Sequence, residues 1–167
     1  MKQNNLSQVL RDVSFLRGMA PEHVDQIAKL AQLCEFEKGE LIFDEGQIAD
    51  SLYLIVSGKV MLEVSTKATG RKQILTVCKG ELLGWSAWTD EHRYSAKGVV
   101  IEPLQVVQID GAGLRAICEK DPKLGYEFLR RTMIALARRL TTTWRQLAEL
   151  YVAHYVTTPI GAAAQND

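Results

Sequence analysis

The chain has 167 residues, of which 47% are hydrophobic and 24% charged. That suits one ordinary globular domain, able to bury about two-thirds of the surface its unfolded chain exposes. Twenty Lys and Arg balance twenty Asp and Glu, so no overall field draws the protein onto nucleic acid or an anionic membrane.

The opening Met1-Lys2-Gln3-Asn4-Asn5 leads into an amphipathic stretch rather than an apolar signal core, and no apolar run is long enough to span a bilayer. The sequence therefore reads as cytoplasmic, with no membrane partner. Leu6, Val9, Leu10, Val13 and Leu16 recur at helical spacing, and Gly18 ends that run. Pro21 suits the first turn of a second helix, with Val24, Ile27, Ala28 and Ala31 on one face.

From about residue 33 the period changes. Leu52, Leu54 and Val56 alternate with Tyr53, Ile55 and Ser57, and Val60, Leu62 and Val64 alternate with Met61, Glu63 and Ser65. Ser57-Gly58-Lys59 between them reads as a tight turn. Thr69-Gly70 predicts another turn before Ile74-Leu75-Thr76-Val77. Val99-Val100-Ile101 and Leu104 to Ile109 read as two further strands. Turns at this spacing, with no helical period between them, mean an antiparallel sandwich or roll.

Asp110 is placed to cap a short helix bearing Leu114, Ile117 and Cys118. Asp121-Pro122 supplies a cap and a first-turn proline for a long helix reaching about Tyr155. On it Leu129, Met133, Leu136, Leu140, Thr143, Leu147, Leu150 and His154 follow in alternating steps of four and three, a heptad seam. Ala137, Trp144 and Tyr151 repeat beside it. The first turns of this helix are expected to cover the sheet. The seam Leu136, Leu140, Leu147, Leu150 is expected to pair with a second copy in a homodimer. The small and polar residues 157–167 read as a flexible tail.

The spaced glycines carry a resemblance. Lys38-Gly39-Glu40, Asp44-Glu45-Gly46-Gln47, Ile55-Val56-Ser57-Gly58-Lys59-Val60 and Lys79-Gly80-Glu81-Leu82-Leu83-Gly84 stand in order. In this the chain resembles the cyclic-nucleotide-binding domain of the catabolite-activator and kinase-regulatory-subunit family, over about residues 14–150. The resemblance implies a mainly β fold: an antiparallel β-roll, a jelly-roll-like double-stranded β-helix, with N-terminal helices and a long C-terminal helix. The change of period divides one domain over 1–156 into helices 1–32, roll 33–110 and helices 111–156. The resemblance also implies a ligand held over a short phosphate-binding cassette, whose backbone N–H groups face a cyclic phosphate. In the family a glutamate takes the ribose hydroxyl, an arginine pairs with the phosphate, and a residue of the long helix caps the base.

Here the cassette is Leu83-Gly84-Trp85-Ser86-Ala87-Trp88, with Gly84 matching the family glycine. Trp85 stands where the glutamate is implied. Tyr94-Ser95-Ala96 matches the family's Arg-Ser/Thr-Ala, so Tyr94 stands where the arginine is implied. Arg93, one residue early, is expected to face away from the pocket unless the register slips. Thr143 matches the base-capping position, and Trp144 follows it.

The expectation is a non-catalytic regulatory or sensor module that does not hold cyclic AMP or cyclic GMP tightly. It either takes a small planar or anionic ligand in the roll or signals through its dimer of long helices. Two alternatives remain open: a ligandless docking module for an unknown protein partner, and a true cyclic-nucleotide binder that uses Arg93 and backbone groups. No nucleophile–base–acid set or phosphate loop is visible, so no enzyme activity is expected. No cofactor is expected either: His92 is the single candidate axial ligand for a haem. The three scattered cysteines, Cys34, Cys78 and Cys118, and the three histidines offer no disulfide framework and no metal site. The few residues after Tyr155 are too short for a helix-turn-helix, so no DNA-binding domain is expected.

Overall fold

The computed structural model describes residues 2–67, 70–89 and 91–156. The elements run α1 (Lys2–Asp12), a 3-10 turn (Ser14–Leu16), α2 (Pro21–Ala28), β1 (Ala31–Phe36), β2 (Leu41–Phe43), β3 (Ser51–Thr66), β4 (Gly70–Cys78) and β5 (Leu82–Leu83). A 3-10 helix (Trp85–Trp88), β6 (Lys97–Asp110), α3 (Gly111–Lys120) and α4 (Pro122–Val156) complete the described residues. All strand pairs are antiparallel, in the order β1-β6-β3-β4, with β2 on β6 and β5 on β3. This is the β-roll with N-terminal helices and a long C-terminal helix that the sequence predicts.

The helix signals act where the sequence puts them. Pro21 opens α2. Asp110 accepts a hydrogen bond from Gly113 N at 2.7 Å. Asp121 Oδ1 accepts from Lys123 N at 3.1 Å and Leu124 N at 3.3 Å. Each carboxylate satisfies N–H groups that the first turn of a helix leaves without partners.

Four predicted boundaries are corrected. Ser57-Gly58-Lys59 is not a hairpin turn: β3 runs through it for 16 residues. The register with β6 shifts between Ile55 and Val60, so the extra residue is absorbed as a bulge, which bends the strand without reversing it. Gly58 is needed there, because it has φ +87° and a Cβ would lie 2.3 Å from the Pro103 carbonyl oxygen. The two runs Val99–Ile101 and Leu104–Ile109 likewise form one strand, β6, which passes through Pro103. Ala31 does not continue the face of α2; it opens β1 opposite Ile109. The α1 pattern also splits, since Val13 and Leu16 lie beyond the α-helix and Leu16 belongs to the 3-10 turn. The expected tail 157–167 and Thr69 lie outside the described residues.

The described residues divide into two compact units at the boundary between Met133 and Ile134. In the first, one apolar core joins the helices to the roll through Leu10, Leu16, Ile27, Leu52, Leu54, Ile55, Val106, Ile109, Leu114, Leu124 and Phe128. Phe128 reaches it from the first turns of α4 and meets Phe15 edge-on at 5.4 Å between ring centroids. The second unit is the rest of α4. There Leu140, Trp144, Leu147, Leu150 and Tyr151 are each at least half exposed.

Candidate ligand site

The cassette begins at Gly84, the left-handed residue (φ +77°) that precedes Trp85–Trp88. A Cβ there would lie 2.8 Å from the Ser51 carbonyl oxygen and 3.3–3.4 Å from the rings of Tyr53 and Tyr94. Only glycine fits both the backbone angle and the space. Ser86 and Ala87 are buried, while Trp85 and Trp88 are partly exposed. Trp88 stacks on Phe128 of α4 with centroids 5.5 Å apart and planes at 17°. The Arg115 guanidinium of α3 donates to the Ala87 carbonyl oxygen. Thr89 donates both its N–H and its hydroxyl to Ser86 O, at 3.1 and 2.9 Å. These contacts tie the end of the cassette to α3 and α4.

Tyr94 is 3% exposed. Its ring lies flat on Phe43, with centroids 3.9 Å apart and planes at 12°, and Phe43 also meets Tyr53 at 6.0 Å. Its hydroxyl donates to Ser51 O at 2.9 Å. Desolvation pushes the Tyr94 phenol far above its ordinary range, with Tyr53 adding to the shift, and burial raises Tyr53 as well. Both phenols are therefore neutral, hydrogen-bonded parts of the interior and do not act as acids at any ordinary pH.

Arg93 is exposed. It forms an isolated bridge with Ile48, and its guanidinium donates to Gly46 O at 2.7 Å. The backbone around it pairs with residues 46–49: Gly46 N bonds Tyr94 O and Tyr94 N bonds Gln47 O, at 2.8 and 2.9 Å. Residues 93–96 thus form a connection ahead of β6 rather than part of it. Alternation still holds there, since Arg93 and Ser95 are exposed while Tyr94 and Ala96 are buried.

The structure therefore brings Gly84, Tyr94 and the buried Ser86 and Ala87 into the roll. It places Thr143 and Trp144 in the second unit, both exposed. The Thr143 hydroxyl donates to its own helix, to Arg139 O at 3.0 Å. The sequence reading missed Phe43, Tyr53, Phe128 and Arg115. Phe43 and Tyr53 carry an aromatic signal but sit about fifty and forty residues from Tyr94, beyond any local pattern. A side-chain chain also escaped it: Gln108 donates to Ser51 Oγ at 2.9 Å, and Ser51 donates to Asp50 at 2.9 Å. Among the described residues, no cluster of His, Cys, Asp and Glu could hold a metal ion, and no helix is long and apolar enough to cross a membrane.

A sequence profile for the cyclic nucleotide-binding domain matches residues 33–121. The chain is 29% identical over 147 residues to a CRP-like cAMP-activated global transcriptional regulator of Mycobacterium tuberculosis. That match covers 87% of this chain and 63% of the regulator, so the chain spans less than two-thirds of its relative's length. A cyclic nucleotide-binding domain from Methylobacillus flagellatus has the same fold, with a TM-score of 0.76 at 19% identity over 98% of this chain and 87% of that one. So does the regulatory subunit of a cAMP-independent protein kinase A from Trypanosoma brucei, with a TM-score of 0.66 at 22% identity over 78% and 46% of the two chains.

Proposed function

The chain belongs to the cyclic nucleotide-binding domain family, and from that premise we propose that it is a regulatory module whose roll is closed to cyclic AMP and cyclic GMP by its own aromatic side chains. One observation carries this reading: Tyr94, at the position where the family resemblance implies the phosphate-binding arginine, is buried, stacked on Phe43 and bonded to Ser51 O. The neighbouring cation, Arg93, is outside and bonded to Gly46 O. A cyclic phosphate in the roll would have to displace a packed ring and would find no cation at the position of Tyr94, which is costly in a low-dielectric interior. Trp85 removes the ribose acceptor as well. Each lost charge-assisted hydrogen bond is worth about 1.5–3 kcal/mol, so together they weaken binding by roughly two to four orders of magnitude.

The output of the module is a homodimer through the exposed seam of α4. The Trypanosoma brucei subunit of the same fold is named as cAMP-independent, so the fold is compatible with regulation that cyclic AMP does not drive. Isothermal titration tests the reading. Wild-type protein is expected to bind cyclic AMP and cyclic GMP no more tightly than about 100 μM. The double variant Trp85→Glu, Tyr94→Arg is expected to gain binding. Low-micromolar binding by wild type that Arg93→Ala abolishes would overturn it.

A further inference from the structure

The seam of α4 and the roll leave the clefts between the helices of the first unit without a role. A cleft of about 730 Å³ opens between α2, the end of α3 and the start of α4. Gln26, Lys29, Leu30, Ile117, Lys120, Asp121, Pro122 and Lys123 line it. Its apolar lining is Leu30 and Ile117, both partly exposed, with the ring of Pro122. Around it stand three exposed ammonium groups, Lys29, Lys120 and Lys123.

None of the three has an ion pair among the described residues. The single carboxylate of the lining, Asp121, is already committed: one oxygen takes the N–H groups of Lys123 and Leu124, and the other faces His23 Nε2 at 3.4 Å. Three lysines against one aspartate leave the lining at a formal charge of +2.

Helix dipoles account for two of the lysines. Lys29 follows the last turn of α2 and Lys120 ends α3, where a cation meets unsatisfied carbonyl groups. They do not account for Lys123. It lies in the first turn of α4, which contains no acidic residue, and there the dipole disfavours a cation. The fold thus holds a positive charge at the wrong end of a helix, in a cleft lining shared with two other lysines. An acidic occupant of the cleft would offset that charge.

We propose that this cleft docks an acidic segment of a partner protein that inserts an apolar side chain between Leu30, Ile117 and Pro122 while its carboxylates meet Lys29, Lys120 and Lys123. The apolar lining favours a peptide over a nucleic acid, whose backbone would satisfy the lysines but leave the floor empty. The ammonium groups are solvent-exposed, so the electrostatic part of the affinity is screened by salt.

The test is an NMR titration of the full chain with three probes: a Glu/Leu peptide, a Glu/Ser peptide of equal length and charge, and a short DNA duplex. The Glu/Leu peptide is expected to shift the amides of residues 29, 30, 117, 120 and 123, and to bind more weakly as salt is raised. Lys123→Glu should weaken that binding at least roughly tenfold, from charge reversal in the first turn. The same variant should raise the melting temperature, because it puts an acid at a helix N-terminus, so lost binding cannot be put down to a damaged fold. The proposal fails if the Glu/Leu peptide shifts none of these amides or if Lys123→Glu leaves its affinity unchanged. It fails equally if the Glu/Ser peptide or the duplex binds as tightly.

Discussion

Tyr94 combines packing with a hydrogen bond inside the roll. The ring is sandwiched close to Gly84 and lies flat on Phe43, and the hydroxyl is satisfied by Ser51 O. The two parts separate by substitution. Tyr94→Phe keeps the stack and loses one hydrogen bond, a cost of about 0.5–1.5 kcal/mol. Tyr94→Ala also empties the space of a fully packed ring, a cost of about 3–5 kcal/mol. Urea denaturation is expected to place the two midpoints in that order below wild type. If Tyr94→Ala is as stable as wild type, the ring is not part of the core and the closed-roll reading loses its support. That Tyr94-Ser95-Ala96 resembles the family's Arg-Ser/Thr-Ala was legible in the sequence. That the Tyr94 ring packs on Phe43 was not, because no spacing rule relates residues 43 and 94.

At the scale of the element, the helix starts were the most legible part of the chain. An N-cap depends on a side chain two or three residues from the N–H it satisfies, so Asp110, Asp121 and Pro122 are read locally. Asp121 also gives a pH signature. Hydrogen bonds from Leu124 N hold its carboxyl below its usual range, against a smaller desolvation effect, with Lys123 N and His23 adding to the lowering. A carboxylate with a depressed folded-state pKa stabilises the fold above its unfolded value, about 3.9 for Asp, and that contribution is lost as pH falls through the folded value. Asp121→Ala is therefore expected to melt below wild type at neutral pH, with the gap closing below about pH 4 as the wild-type carboxyl protonates. A gap that stays constant into acid would show that the cap acts without its charge. The long strands were less legible. Glycine flanked by alternating apolar residues signals equally a hairpin turn and a bulge, and the choice at Gly58 lay with its neighbour, the Pro103 carbonyl.

At the scale of the whole molecule, the exposed stripe on α4 carries the expected dimer. Leu140 and Leu147 are each 50% exposed and Leu150 is 68% exposed, apolar surface that a second copy would remove from water. The Thr143 hydroxyl, bonded to Arg139 O, could enter such a seam without an unmet partner. Leu140→Glu with Leu147→Glu should convert a dimer to a monomer in sedimentation, because buried unpaired carboxylates are expensive. Wild type that sediments as a monomer at high micromolar concentration would refute the dimer. The sequence by itself determined the class of the fold, since period 3.6 gives way to period 2 and returns, and since turn glycines and capping acids act within a few residues of themselves. It also determined which side chains follow the left-handed Gly84. Only the tertiary structure decided what those side chains do: Tyr94 meets Ser51 across 43 residues, Arg115 meets Ala87 across 28, and Lys29 comes to share a cleft with Lys120 and Lys123. Contacts of that sequence separation follow from how sheet and helices pack, and local periodicity carries no record of them.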